Sequence, residues 1–100
     1  MKLGILVTSD RHPEHLAGLT RAAVAKGHEV TLFATDSGVK LLGSPACVAL
    51  SELGGVAMSL CEHSAKAYQV PTDGLPEKIV RGSQYDNAVM TQWADRVVVL

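Results

Sequence analysis

The chain has 100 residues, 47% of them hydrophobic and 19% charged, with a net charge of −1. A single domain of this length buries roughly 65% of its unfolded surface, enough for a core without staples. The balanced charge leaves no electrostatic footprint for nucleic acid or an acidic membrane, no segment approaches the ~20 apolar residues of a membrane span, and two cysteines make no disulfide framework.

Residues 1–8 resemble a signal-peptide start only in outline. The apolar run is short, and Asp10, Arg11 and His12 break it before any cleavage site. A reducing cytoplasm is the expected location. Residues 3–8 then read as a strand buried on both faces, being apolar with three β-branched side chains. His12 is the expected N-cap of the first helix and Pro13 its first residue. Leu16, Leu19, Ala22 and Ala23 form its stripe, and Lys26-Gly27 ends it.

Residues 28–34 are the second strand, and Thr35-Asp36-Ser37-Gly38 the loop after it. Val39 to Leu42 suits a single helical turn. Ser44-Pro45 opens a helix expected to run through Leu53, where Gly54-Gly55 stops it. The third strand covers residues 56–60 and a short helix follows Cys61. Pro71, Asp73-Gly74 and Pro76 make the next stretch turn-rich. Ser83-x-x-Asp86 has the capping-box form, with Tyr85, Ala88, Val89, Gln92 and Trp93 as the apolar face of the helix it opens. Residues 96–100 close the chain as a buried strand.

This alternation predicts an α/β fold, a parallel sheet with helices on both faces. Right-handed crossovers bring every strand's C-terminal end to one edge. That edge collects Ser9, Asp10, Arg11 and His12 from the first loop, Asp36, Ser37 and Gly38 from the second, and Cys61, Glu62, His63 and Ser64 from the third. Open α/β sheets place their sites at this edge.

Cys61 is the sharpest chemical candidate among these. At a strand-to-helix junction it faces orphan backbone N–H groups and the positive end of a helix dipole, which favour the nucleophilic thiolate. Glu62 opposes a second negative charge beside it, whereas Lys66 and a protonated His63 favour one. His63, whose ordinary pKa lies near neutrality, is the expected proton mediator. His12 is the expected pocket wall, with Asp10 beside it. Cys47, among Ala46, Val48, Ala49 and Leu50, reads as core, and bridges Cys61 only if the two Cα atoms approach within ~7 Å.

No CxxC or HExxH spacing suggests a metal site. Neither GxGxxG nor GxxxxGK[ST] is present to hold a nucleotide, and no cofactor is expected. A cysteine phosphatase or rhodanese loop needs glycine and an arginine soon after the cysteine, and here the first arginine is Arg81.

Several features share one order and spacing. They are the opening strand, the Lys26-Gly27-His28-Glu29-Val30 junction and the Asp36-Ser37-Gly38-Val39 loop. Cys61 with Ser64 three residues on follows, and the closing Ala94-Asp95-Arg96-Val97-Val98-Val99-Leu100 completes the set. Together they resemble the DsrE/DsrF/TusD-like family of small sulfur-relay proteins over nearly the whole chain, as one domain of residues 1–100. The resemblance implies a flavodoxin-like fold and a sulfur carrier. The cysteine matching Cys61 would accept sulfane sulfur as a persulfide from a donor protein and pass it to an acceptor protein. N–H groups near Ser64 would steady the anionic sulfur, and Asp36 and Gly38 would line the site. It also implies a homo- or hetero-oligomer. The charged pair Glu62-His63 stands where other relay members have small or apolar residues, which points to a different transfer partner. Two alternatives are a non-catalytic partner subunit and a thiol-based redox sensor working through a sulfenic acid.

Overall fold

Three six-residue strands form the centre of the sheet, and a four-residue strand closes each edge. In the computed structural model, which describes all 100 residues, these are β1 (Lys2–Val7), β2 (Glu29–Ala34), β3 (Val56–Cys61), β4 (Ile79–Gly82) and β5 (Arg96–Val99). All neighbours pair parallel, in the order β4-β3-β2-β1-β5. The helices are α1 (Pro13–Ala25), α2 (Pro45–Val48), α3 (Glu62–Ala67) and α4 (Gln84–Trp93), with 3-10 segments at Asp36–Gly43 and Ala49–Glu52.

Helices cover both faces as expected, but unequally. From β1 through β4 each strand is added on the same side of its predecessor, so right-handed crossovers send every connection to one face. Only the return from β4 to β5 crosses the other face, and it carries α4. The packing follows. Leu3, Ile5, Val7, Val30, Leu32, Met58, Leu60 and Ile79 from the strands meet Leu16, Val39, Leu42, Cys47, Leu50 and Ala65 in one large cluster. Phe33, Cys61 and Met90, with Leu6 against them, make the small cluster under α4. Period-two alternation decides membership: Met58 and Leu60 face the large cluster, and Cys61 faces α4.

Three local expectations change. Strand β4 was not anticipated from the sequence, because Glu77-Lys78 and Arg81 flank only two apolar residues, Ile79 and Val80. The helix expected from Ser44 to Leu53 breaks after one turn of α2 into the tighter 3-10 segment. Ser51 Oγ donates to the Val48 carbonyl at 2.7 Å, competing with the backbone ladder. Ser44 makes no side-chain cap bond, and neither does His12 at the start of α1.

The third change matters for function. Tyr85, Ala88, Val89 and Gln92 do share a face of α4, but that face points outward, with Tyr85 74% and Val89 50% exposed. The capping box sets this rotation. Asp86 Oδ2 accepts from the Ser83 N–H at 2.9 Å, and the Ser83 side chain accepts from the Tyr85 N–H. The Asp86 carboxylate occupies the space that a Cβ on Gly82 would need. With Asp86 turned inward, helical spacing brings Met90, Trp93 and Ala94 in after it.

Arg81 holds the irregular stretch before β4. Its guanidinium donates to the Thr72, Leu75, Pro76 and Ile79 carbonyls at 2.7 to 3.1 Å. A lysine keeps the charge but cannot reproduce the planar fork. Arg81→Lys is expected to lower stability by about 1–2 kcal/mol in a denaturant titration and to speed proteolysis within residues 69–78. An unchanged midpoint would remove Arg81 from this role.

Candidate functional site

Register places the site. Cys61 is the last residue of β3 and pairs with Gly82 of β4, while Leu60 pairs with Ala34 of β2. Strands lie about 4.8 Å apart, so Thr35, one residue past Ala34, arrives on one side of Cys61. Gln84, two residues past Gly82, arrives on the other. Cys61 is also the N-cap residue of α3, with extended backbone (φ −87°, ψ 114°) and no side-chain cap hydrogen bond, so it stands at the end of that helix where backbone N–H groups lack helical partners.

These groups form one network. Ser64 Oγ and Thr35 Oγ1 are 3.2 Å apart, and the Asp36 N–H donates to Ser64 Oγ at 3.0 Å. Gln84 Nε2 donates to Thr35 Oγ1 at 3.0 Å, and Asn87 Nδ2 donates to Gln84 Oε1 at 3.3 Å. Asp36 reaches its position through a left-handed backbone, φ +50°, unusual for a residue with a side chain.

Cys61 as a residue is 4% exposed. Burial pushes the Cys61 thiol up, but hydrogen bonds from Ser64 Oγ, the Ser64 N–H, the Gln84 side chain and the His63 N–H more than offset it. The pKa is therefore held below the ordinary thiol value. Nearby charges play no part in that shift, so Glu62, Lys66 and the His63 imidazole do not set it.

Ser64 and Cys61 thus stand together, and His63 contributes through its backbone while its side chain is exposed. Asp36 contributes its N–H to Ser64. Gly38 is buried against β1, where a Cβ would lie 2.2 Å from the Val7 carbonyl oxygen, so it brings the loop close to the sheet instead of lining the sulfur. His12 and Asp10 are exposed and hydrogen-bond to nothing at Cys61. The His12 ring sits 5.0 Å from that of His15. Cys47 is buried in the large cluster on the opposite side of the sheet, and both cysteines are free. No three His, Cys, Asp or Glu side chains come together as metal ligands. No helix is long and apolar enough to cross a membrane.

Sequence reasoning missed Thr35 and Gln84. Thr35 sits one residue past a predicted strand, so it was available. Gln84 was hidden with β4, whose pairing brings it to Cys61.

The DsrE/DsrF-like family pattern matches residues 1–100. The chain belongs to the DsrE/DsrF-like family. No curated protein matches its sequence. Among solved structures, the ychN protein from E. coli is 19% identical, with a TM-score of 0.71 and all of both chains covered. A protein of unknown function from Methanobacterium thermoautotrophicum, MTH1491, is 18% identical with a TM-score of 0.74, over 99% of this chain and 98% of its own. Both share the fold.

For this DsrE/DsrF-like chain the depressed thiol pKa has a signed consequence. The unfolded chain binds the Cys61 proton more tightly, so stability rises with pH between the folded value and the ~8.5 of a free thiol. The contribution is complete above the unfolded value and disappears as pH falls through the folded one. Cys61→Ser is expected to abolish that slope in denaturation midpoints measured from pH 6 to 9. A slope unchanged in the variant would locate it elsewhere.

Proposed function

We propose that the protein carries sulfane sulfur as a persulfide on Cys61. Family membership supports this reading, and one observation carries it: a buried cysteine at the C-terminal sheet edge and the start of α3, next to the Ser64–Thr35–Gln84 network, with its thiol held below the ordinary value despite burial. The Cys61 thiolate attacks the outer sulfur of a donor persulfide, R–S–SH. A bond forms between Cys61 Sγ and that sulfur as the donor's S–S bond breaks, and the donor leaves as the thiolate R–S⁻. Rate then depends on the thiolate fraction, the leaving group and access. The partners are a sulfur donor protein and an acceptor thiol protein, in a reducing compartment such as the cytoplasm.

Intact mass after incubation with polysulfide tests this. The parent is expected to gain about one sulfur atom's mass, reversibly with reductant, and Cys61→Ser to gain none. A second reading, a subunit that assembles without transferring sulfur, is favoured by the 4% exposure of Cys61. An unmodified parent would support it. A dimedone adduct formed after peroxide, without sulfur loading, would instead favour the redox-sensing reading.

Both of the first two readings share an assembly surface. Tyr85, Val89 and Val80 are exposed beside a groove of about 240 Å³ whose lining includes Ala57, Ser59, Met90 and Trp93. Here α4 leaves the β3–β4 half of its face uncovered, whereas parallel sheets are ordinarily covered on both faces. We place the oligomer contact there. Light scattering is expected to give a multiple of the 10.6 kDa chain mass, reduced toward the monomer by Val89→Glu. A monomeric parent would refute this placement.

A further inference from the structure

Cys61 is buried, and a sulfur that exchanges with another molecule has to be reached. Its cover is α4, the one helix on that face of the sheet, whose Met90 closes the small cluster with Phe33. The two ends of α4 are held very differently. At the C-terminal end the Asp95 N–H donates to the Lys2 carbonyl and the Lys2 N–H donates to Asp95 Oδ2, both at 2.8 Å. Lys2 Nζ lies over the Trp93 ring, 5.9 Å from its centroid. Gly4, lacking a Cβ, lets Ala94 sit close against β1. At the N-terminal end, Gln84 Nε2 donating to Thr35 Oγ1 at 3.0 Å is the only side-chain hydrogen bond from α4 and its cap to the rest of the chain. Gln84 is exposed, so water competes for that bond and its net worth is small. The strand that leads into this end, β4, is an edge strand paired on one side only. One turn on from Gln84, Asn87 donates to Gln84 Oε1 and leaves its own Oδ1 buried without a partner. An unpaired buried acceptor is costly, and lifting this end of the helix would give it to water.

We propose that α4 is a lid over Cys61, latched by the Gln84–Thr35 hydrogen bond and tilting on its Asp95–Lys2 anchor. The capping box ties Asp86 to Ser83, so the helix tilts as one piece without unwinding from its first turn. Thr35 keeps its contact with Ser64 Oγ when the latch opens, so the α3 side of the site stays in place. Lids are drawn from the weakly held parts of a fold, and the N-terminal end of α4 is such a part. The proposal rests on the carrier reading of Cys61, and it adds to that reading the movement by which an enclosed sulfur becomes reachable.

The test is the rate at which iodoacetamide alkylates each cysteine, read by peptide mass, in the parent, Gln84→Met and Thr35→Val. Rates are taken on the alkaline plateau, where both thiols are fully ionised and a shifted pKa no longer enters. Cys47, inside the large cluster on the opposite side of the sheet, reports global opening. Cys61 reports global opening and the lid together. Gln84→Met keeps the length of the side chain and loses the donor, and Thr35→Val keeps the shape and loses the acceptor. Each is expected to speed Cys61 about three- to tenfold, the weight of one net hydrogen bond, and to leave Cys47 unchanged. Gln84 is exposed, so its variant serves if Thr35→Val disturbs folding. An unchanged Cys61 rate in the folded variants overturns the proposal. An equal gain at Cys47 overturns it too, because the opening would then be global. Polysulfide loading of the same samples separates the two readings: a parent that takes up no sulfur counts against the carrier, while the alkylation of Cys61 against Cys47 still decides the lid.

Discussion

A parallel sheet must carry its chain back across one face between every pair of strands, always with the same hand. In the order β4-β3-β2-β1-β5 that rule sends three returns over one face and a single return over the other. Most of the molecule's character follows from this imbalance. The crowded side holds the large apolar cluster and supplies the core, whereas the sparse side holds Phe33, Met90, Leu6 and Cys61. The cysteine falls on the sparse side because it ends β3 two residues after Ser59 and four after Ala57, in step with both. The same imbalance leaves α4 with two apolar faces, one packed inward through Met90 and one exposed through Tyr85 and Val89.

At Cys61 two opposing effects are nearly matched in kind. Removing an anion from water is unfavourable, and Cys61 is a buried residue. The lowering of its thiol pKa is attributed to hydrogen bonding from Ser64, Gln84 and the His63 N–H, which outweighs the effect of burial. Such a site depends on geometry. Three separate strand ends must arrive together for Thr35, Ser64 and Gln84 to meet. The capping box at Ser83 and the steric demand at Gly82 are therefore connected to the sulfur, since they set where the first turn of α4 lies.

The sequence was most legible where one short-range pattern decided the outcome. The apolar runs of β1, β2 and β3 and the Pro13 start of α1 were readable, and so was the Ser83/Asp86 capping box. So was Cys61 at its junction, with Ser64 three residues on. Legibility failed where long-range pairing decided. Strand β4 is two apolar residues between charges, and only its pairing with β3 makes it a strand. Gln84 inherits that invisibility. The face of α4 was misread because apolar character marks a buried surface without saying which body buries it, and the inward rotation was set by a carboxylate at Asp86. His12 and Asp10 share the sheet edge with Cys61, but β2 lies between their strand and β3, which keeps them out of its hydrogen bonds.

The two cysteines lie on opposite sides of the sheet, Cys47 within the large cluster and Cys61 under α4. Many thiol proteins keep a second, resolving cysteine beside the first, which discharges whatever the first has captured. Here the backbone layer stands between the two sulfurs, so the chain has no internal route of discharge. Any sulfur or oxidant bound at Cys61 waits for a thiol from outside, and the lifetime of the loaded state is set by how often such a thiol arrives and gains entry.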